Sequence, residues 1–152
     1  MRILVDTSIL VRASQPGSPQ FTASVDAVTR IFNSDVGACI VPQVIYEYWV
    51  VATRPAAQNG LGLSAEQAAQ ELERLSDFFD LQRDERAIFE QWRQLVSTHQ
   101  VLGKNAHDAR LVAAMLRHGI SHLLTLNPRD FQRYPAINVI TPDTLPADLT
   151  SL

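Results

Sequence analysis

One cysteine and one lysine are all that this 152-residue chain contains of those two types. Cys39 alone excludes an intrachain disulfide and makes a cytoplasmic setting the expectation. Long hydrophobic runs are missing too: a membrane span needs about 20 consecutive apolar residues. Arg2 is followed by only three before Asp6, so neither a span nor a secretion signal is read at the start. A general excess of basic charge is also lacking. The formal net charge is −3, which gives no global electrostatic footprint for a polyanion. Repeats, linkers and low-complexity stretches are absent, so residues 1–152 are read as one domain.

What is present is ordinary in bulk and uneven in detail. Hydrophobic residues at 46% and charged residues at 19% suit a globular protein with a substantial core. Twelve of the thirteen basic residues are arginine, a side chain that suits bidentate phosphate contact and serves surface ion pairs equally well. From Glu66 to Glu90 eight acids face three arginines, whereas Val101 to Pro135 holds five basic residues, three histidines and two acids. Cys39 lies within Ala38-Cys39-Ile40-Val41 and reads as a buried thiol, not a nucleophile.

Periodicity sets the architecture. Short apolar runs over Arg2–Asp6, Gly37–Val41, Ser121–Leu126 and Ile137–Ile140 read as buried strands. Between them lie a short helical turn from Thr7 and a helix over Phe21–Asn33. Further helices run from Pro42 to Arg54, from a Ser64/Gln67 capping box to Phe79, over Asp84–His99 and over Ala106–His118. Strands alternating with helices predict an α/β domain with a parallel, doubly wound sheet. The tail with Pro142 and Pro146 reads as irregular.

Three acids sit where the pattern wants something else. Asp6 ends the first strand abruptly, where open α/β sheets bind ligands, although taken alone it reads first as a helix cap or a turn residue. Glu47 interrupts the apolar stripe of Val44, Tyr48 and Val51 on its helix, and an unpaired buried carboxylate there is costly. Asp108 precedes Leu111, Val112 and Met115 on the buried stripe of its own helix. Like charges converge stably only when protons or cations neutralise them, and Mg²⁺ or Mn²⁺ prefers such oxygen-only sites. A fourth region, Thr125-Leu126-Asn127-Pro128-Arg129-Asp130-Phe131, ends another strand on polar residues. There Asn127 offers a neutral oxygen and Asp130 a charged one a turn later. His118 and His122 straddle Gly119 and share no helix face, which argues against a zinc site.

With Val5-Asp6-Thr7-Ser8, Glu47, His107-Asp108-Ala109-Arg110-Leu111 and the 125–131 segment in this order, the chain resembles PIN domains. Within that family it is similar to the VapC-type toxins of toxin–antitoxin pairs. The resemblance implies a three-layer α/β/α domain with a central, mainly parallel sheet. It also implies a Mg²⁺- or Mn²⁺-dependent endoribonuclease that leaves 5′-phosphate and 3′-hydroxyl ends. Asp6, Glu47 and Asp108 would hold the metal, with Asn127 and Asp130 as weaker donors; Asn127 stands where many members carry a fourth aspartate. Ser8 would orient Asp6, while Arg110, Lys104 and Arg129 are the candidate phosphate contacts. A cognate antitoxin and a homodimer are the implied partners. Asn127 also leaves a second reading, a non-catalytic PIN-like module that binds RNA or protein through a weakened site. A phospho-acceptor receiver domain shares the strand-end aspartate, but no second acid lies beside it here.

Overall fold

Ile3, Leu4 and Val5 lose all contact with solvent, as branched apolar residues do in the middle of a parallel sheet. The computed structural model describes residues 1–152 and places Ile3, Leu4 and Val5 in β1 (Arg2–Val5). The other strands are β2 (Gly37–Ile40), β3 (Asp80–Leu81), β4 (His122–Leu124) and β5 (Asn138–Ile140). They pair in the order β3-β2-β1-β4-β5, every pair parallel, with Leu4 registered against Cys39 on one side and Leu123 on the other. The sheet therefore grows outward from β1 through β2 to β3, then resumes on the opposite side of β1 with β4 and β5. That reversal opens a crevice at the carboxyl ends of β1 and β4.

Six helices complete the layers: α1 (Thr7–Ala13), α2 (Phe21–Phe32), α3 (Pro42–Thr53), α4 (Ala65–Phe78), α5 (Arg86–Thr98) and α6 (Asn105–Arg117). The main helix contacts join α1 to α2 and α3, α3 to α4, and α5 to α6. The result is a three-layer α/β/α fold, as the resemblance implies. Ser64 caps α4 through the expected reciprocal box, its hydroxyl accepting from Gln67 N while the Gln67 side chain accepts from Ser64 N. Cys39 is fully buried, donates to the Ile3 carbonyl at 3.4 Å, and has its thiol pushed up to about 12 by burial.

Three elements differ from the sequence pattern. β3 has no counterpart in it, because a two-residue edge strand with both residues exposed carries no apolar run to reveal it. α1 is a seven-residue helix instead of a single turn. The tail closes in a 3₁₀ turn over Leu149–Ser151, where the Asp148 carboxylate accepts from Thr150 N and Leu149 is buried.

The loop after α3 closes the end of its own helix. The chain folds back there so that Leu61 N, Leu63 N and Gly62 N donate to the carbonyls of Val51, Ala52 and Arg54. This satisfies the helix end that a following proline would otherwise leave bare. Gly60 packs so tightly that an added Cβ would lie 2.0 Å from the Arg54 carbonyl oxygen. Gly60→Ala is therefore expected to destabilise the protein by about 2 kcal/mol through overpacking, read as a lowered denaturation midpoint.

Candidate functional site

Asp6 is not a helix cap. It occupies the N-cap position of α1 with extended backbone angles, yet its side chain makes no capping hydrogen bond. Its N–H donates to the Leu124 carbonyl at 2.9 Å, extending the β1–β4 pairing by one residue. Its carboxylate faces the crevice, where Ser8 Oγ donates to Oδ2 at 2.6 Å and Thr125 Oγ1 donates to the same oxygen at 2.7 Å. Both bonds fall on Oδ2, which leaves Oδ1 to the cleft. Ser8 Oγ also accepts from Leu126 N at 3.1 Å, and Thr125 Oγ1 from Asn127 N at 3.0 Å. One pair of hydroxyls thus orients Asp6 and shapes the turn after β4 together.

Glu47 follows the same logic from α3. It is partly buried, and its oxygens are held by neutral donors: Gln43 Nε2 to Oε1 at 2.8 Å and Thr7 Oγ1 to Oε2 at 3.2 Å. Gln43 is itself buried and fully used. Its Nε2 also donates to the His107 carbonyl on α6 at 2.8 Å, and its Oε1 accepts from Arg110 Nη1 at 3.3 Å. Arg110 is completed by an ion pair with Asp84 at 3.0 Å. A relay therefore runs Asp84, Arg110, Gln43, Glu47, and it ties α3 to the first turn of α6, where Asp108 stands.

These acids share one cleft of about 510 Å³, lined among others by Asp6, Ser8, Glu47, Asp108, Asn127 and Asp130. Asn127 precedes the 3₁₀ turn Pro128–Phe131 and Asp130 lies within it, its N–H donating to the Asn127 carbonyl at 3.2 Å. Asp108 registers the crowding: its carboxyl is pushed up to about 6, first by burial, then by Asp130, Asp6 and Glu47, with His107 opposing. The three basic residues picked from the sequence lie elsewhere. Arg110 supports Gln43 from behind, and Lys104 and Arg129 are exposed outside the cleft lining. His107 is exposed and contributes only its carbonyl. Arg12 and Arg54 line the cleft instead, as do Gln20 and Asn59. Helical spacing carried that signal: Arg12 follows Ser8 by four residues, and Glu47, Val51 and Arg54 recur along one face of α3 and its cap.

The donor set suits a hard divalent cation. Four carboxylates, three side-chain amides and two hydroxyls line the cleft, with no cysteine or histidine among them. No three His, Cys, Asp or Glu side chains stand at ligation spacing anywhere in the chain, so the acids ring the cleft instead of clasping its centre.

Comparison with known proteins gives a family. The PIN domain model matches residues 3–137. Among solved structures the chain is similar to VapBC-1 from nontypeable Haemophilus influenzae, with 14% identity, 94% of this chain and 99% of that chain covered, and a TM-score of 0.70. It is also similar to VapBC2 from Rickettsia felis bound to a promoter DNA fragment (14% identity, 93% and 98% covered, TM-score 0.68). A third is Mycobacterium tuberculosis VapC20, a toxin that cleaves the sarcin–ricin loop (21% identity, 80% and 86% covered, TM-score 0.59). Comparison with curated protein sequences gave no significant match.

Two outcomes are expected from the geometry. An acid whose folded pKa exceeds its unfolded value holds its proton longer when native, so stability falls as pH rises between the ordinary 3.8 and about 6. In chelator, Asp108→Asn should therefore be more stable than wild type at pH 7 by about 1 kcal/mol, discounted for partial solvent exposure, and equal to it near pH 4 in denaturant titrations. Gln43→Leu unties Glu47 from α6, and is expected to weaken Mn²⁺ binding, read by electron paramagnetic resonance, by about tenfold or more.

Proposed function

Since the chain belongs to the PIN domain family, we propose that it is a metal-dependent endoribonuclease acting as the toxin of a toxin–antitoxin pair. The observation that carries the reading is the delivery of four carboxylates to one cleft from distant parts of the chain. Asp6 comes from the end of β1, Glu47 from α3, Asp108 from α6 and Asp130 from the turn after β4. Asp6, Glu47 and Asp108 would hold Mg²⁺ or Mn²⁺, with Asn127 and Asp130 as weaker donors. Bound there, the cation supplies charge stabilisation for an in-line displacement at phosphorus.

The chain's own side chains do the positioning. Ser8 and Thr125 fix one oxygen of Asp6 and turn the other to the cleft, and Gln43 and Thr7 fix Glu47. The cleft lining holds no cysteine or histidine nucleophile. In this reading the attacking group is water and the products carry 5′-phosphate and 3′-hydroxyl ends, as the resemblance to PIN-domain ribonucleases implies. An antitoxin partner is supported by the similarity to VapBC complexes. Exposed aromatic surface at Tyr46, Phe78 and Phe89 supports contact with that partner or a second copy. No helix is long and apolar enough to cross a membrane, and a cytoplasmic site of action accords with an RNA substrate.

The purified protein is expected to cleave RNA with Mg²⁺ or Mn²⁺ and to stop on chelation. Asp6→Asn and Asp108→Asn should each reduce cleavage at least a hundredfold, the size of losing one charge-stabilising group, while retaining the wild-type circular dichroism spectrum. End-labelling of the fragments checks the chemistry. Cleavage that persists in excess chelator would sink the mechanism. RNA binding without cleavage under either cation would instead establish the non-catalytic module that Asn127 allows.

A further inference from the structure

Resting on the ribonuclease reading, we propose that Arg12 and Arg54 grip the RNA backbone on the flanks of the carboxylate cluster, with Gln20 and Asn59 as neutral partners. Both residues line the acid cleft, yet neither forms an ion pair with any of its four carboxylates; the protein's five ion pairs all lie elsewhere. A cation beside several anions ordinarily collapses onto one of them. Here Asp6 Oδ2 and both Glu47 oxygens are already held by hydroxyls and an amide, and the two arginines stand apart from all four acids. The arginines keep their donors for a ligand. Arg12 has one Nη1 bond at 2.7 Å, to Gln15 Oε1, which aims the group without neutralising it.

Both residues are placed by built features. Arg12 follows Ser8 one turn along α1, so it flanks the Asp6 side of the cleft. Arg54 ends α3, where the backbone of the 59–63 return holds it and Gly60 packs against its carbonyl. That return also brings Asn59, in the left-handed conformation (φ 61°), to the cleft rim. Beyond Arg12 and Gln20 the cleft continues into a second hollow of about 510 Å³ over residues 15–20 that no hydrophobic side chain lines. Arg12 thus stands between the acids and a polar trough. This shape suits a strand running past the site better than a single nucleotide. Charge argues the same way: four acids against two arginines leave the cleft negative, in a chain of net charge −3. A polyanion can enter only where the chain supplies cations beside the metal, and these two are the ones it supplies.

The test uses the full-length protein, a fluorescein-labelled single-stranded RNA of mixed sequence, and fluorescence anisotropy with Ca²⁺ in place of Mg²⁺. Mn²⁺ binding without RNA is measured in parallel. Arg12→Ala and Arg54→Ala should each weaken RNA binding about tenfold and flatten the slope of log affinity against log salt by about 0.7 for each phosphate no longer neutralised. Mn²⁺ affinity and melting temperature should stay at wild-type values. Arg12→Lys and Arg54→Lys, which keep the charge, should restore much of the salt slope. Arg93→Ala removes a charge already paired with Glu90 and should change nothing. Unaltered RNA affinity and salt slope in both alanine variants would overturn the grip while leaving the nuclease reading intact. Parallel loss of Mn²⁺ binding would overturn it in favour of a role in holding the acids. A wild-type protein that binds Mn²⁺ but no RNA would overturn both readings together.

Discussion

Two hydroxyl groups donating to one oxygen of Asp6 are the contact on which the rest of the site depends. Ser8 belongs to the helix after β1 and Thr125 to the end of β4, and both reach Oδ2 within 2.7 Å. The same hydroxyls accept from the backbone of Leu126 and Asn127. This small set of bonds closes the sheet at its point of reversal, aims the carboxylate and fixes where Asn127 and Asp130 enter the cleft. Backbone pairing brings β1 and β4 side by side. The side chains convert that adjacency into a site.

The larger constraint is the repulsion among acids, and the protein meets it with neutral donors instead of counter-charges. An arginine paired to Glu47 would steady it and also occupy the oxygens that a cation needs. Gln43 steadies it without cancelling its charge, and Arg110 stands one residue further back, against Asp84 and Gln43 Oε1. What remains unneutralised shows at Asp108, whose carboxyl is driven up by burial and by three acidic neighbours. Positive charge is thus kept out of bonding range of the acids, behind them at Arg110 and beside them at Arg12 and Arg54.

Much of this was legible in the sequence, for reasons that differ by residue. Asp6, Glu47 and Asp108 stood out because each broke an apolar pattern that the fold otherwise demanded, and the structure brings all three into one cleft. The parallel sheet followed from short branched runs alternating with helices; β3 escaped because a two-residue edge strand has no such run. Arg110, beside Asp108, read as either a phosphate contact or a structural ion pair, and the structure gives it the ion pair, with Asp84, since two positions along a helix turn a side chain to another face. Arg12 and Arg54 were overlooked although helical spacing from Ser8 and Glu47 pointed to them. Thr125 as partner of Asp6 was beyond local reading, since only the pairing of β1 with β4 makes them neighbours.

The span of that one hydrogen bond, 119 residues from Asp6 to Thr125, also sets a clock. At about 5–20 residues per second of synthesis, the opening aspartate waits on the order of ten seconds for the threonine that orients it. Until then β1 lacks its neighbour on one side, and the acids already made have no common cleft to enter. A chain that ends short of Thr125 therefore has no complete cleft. The cleft takes shape only when the segment from α6 to the turn after β4 joins the earlier strands.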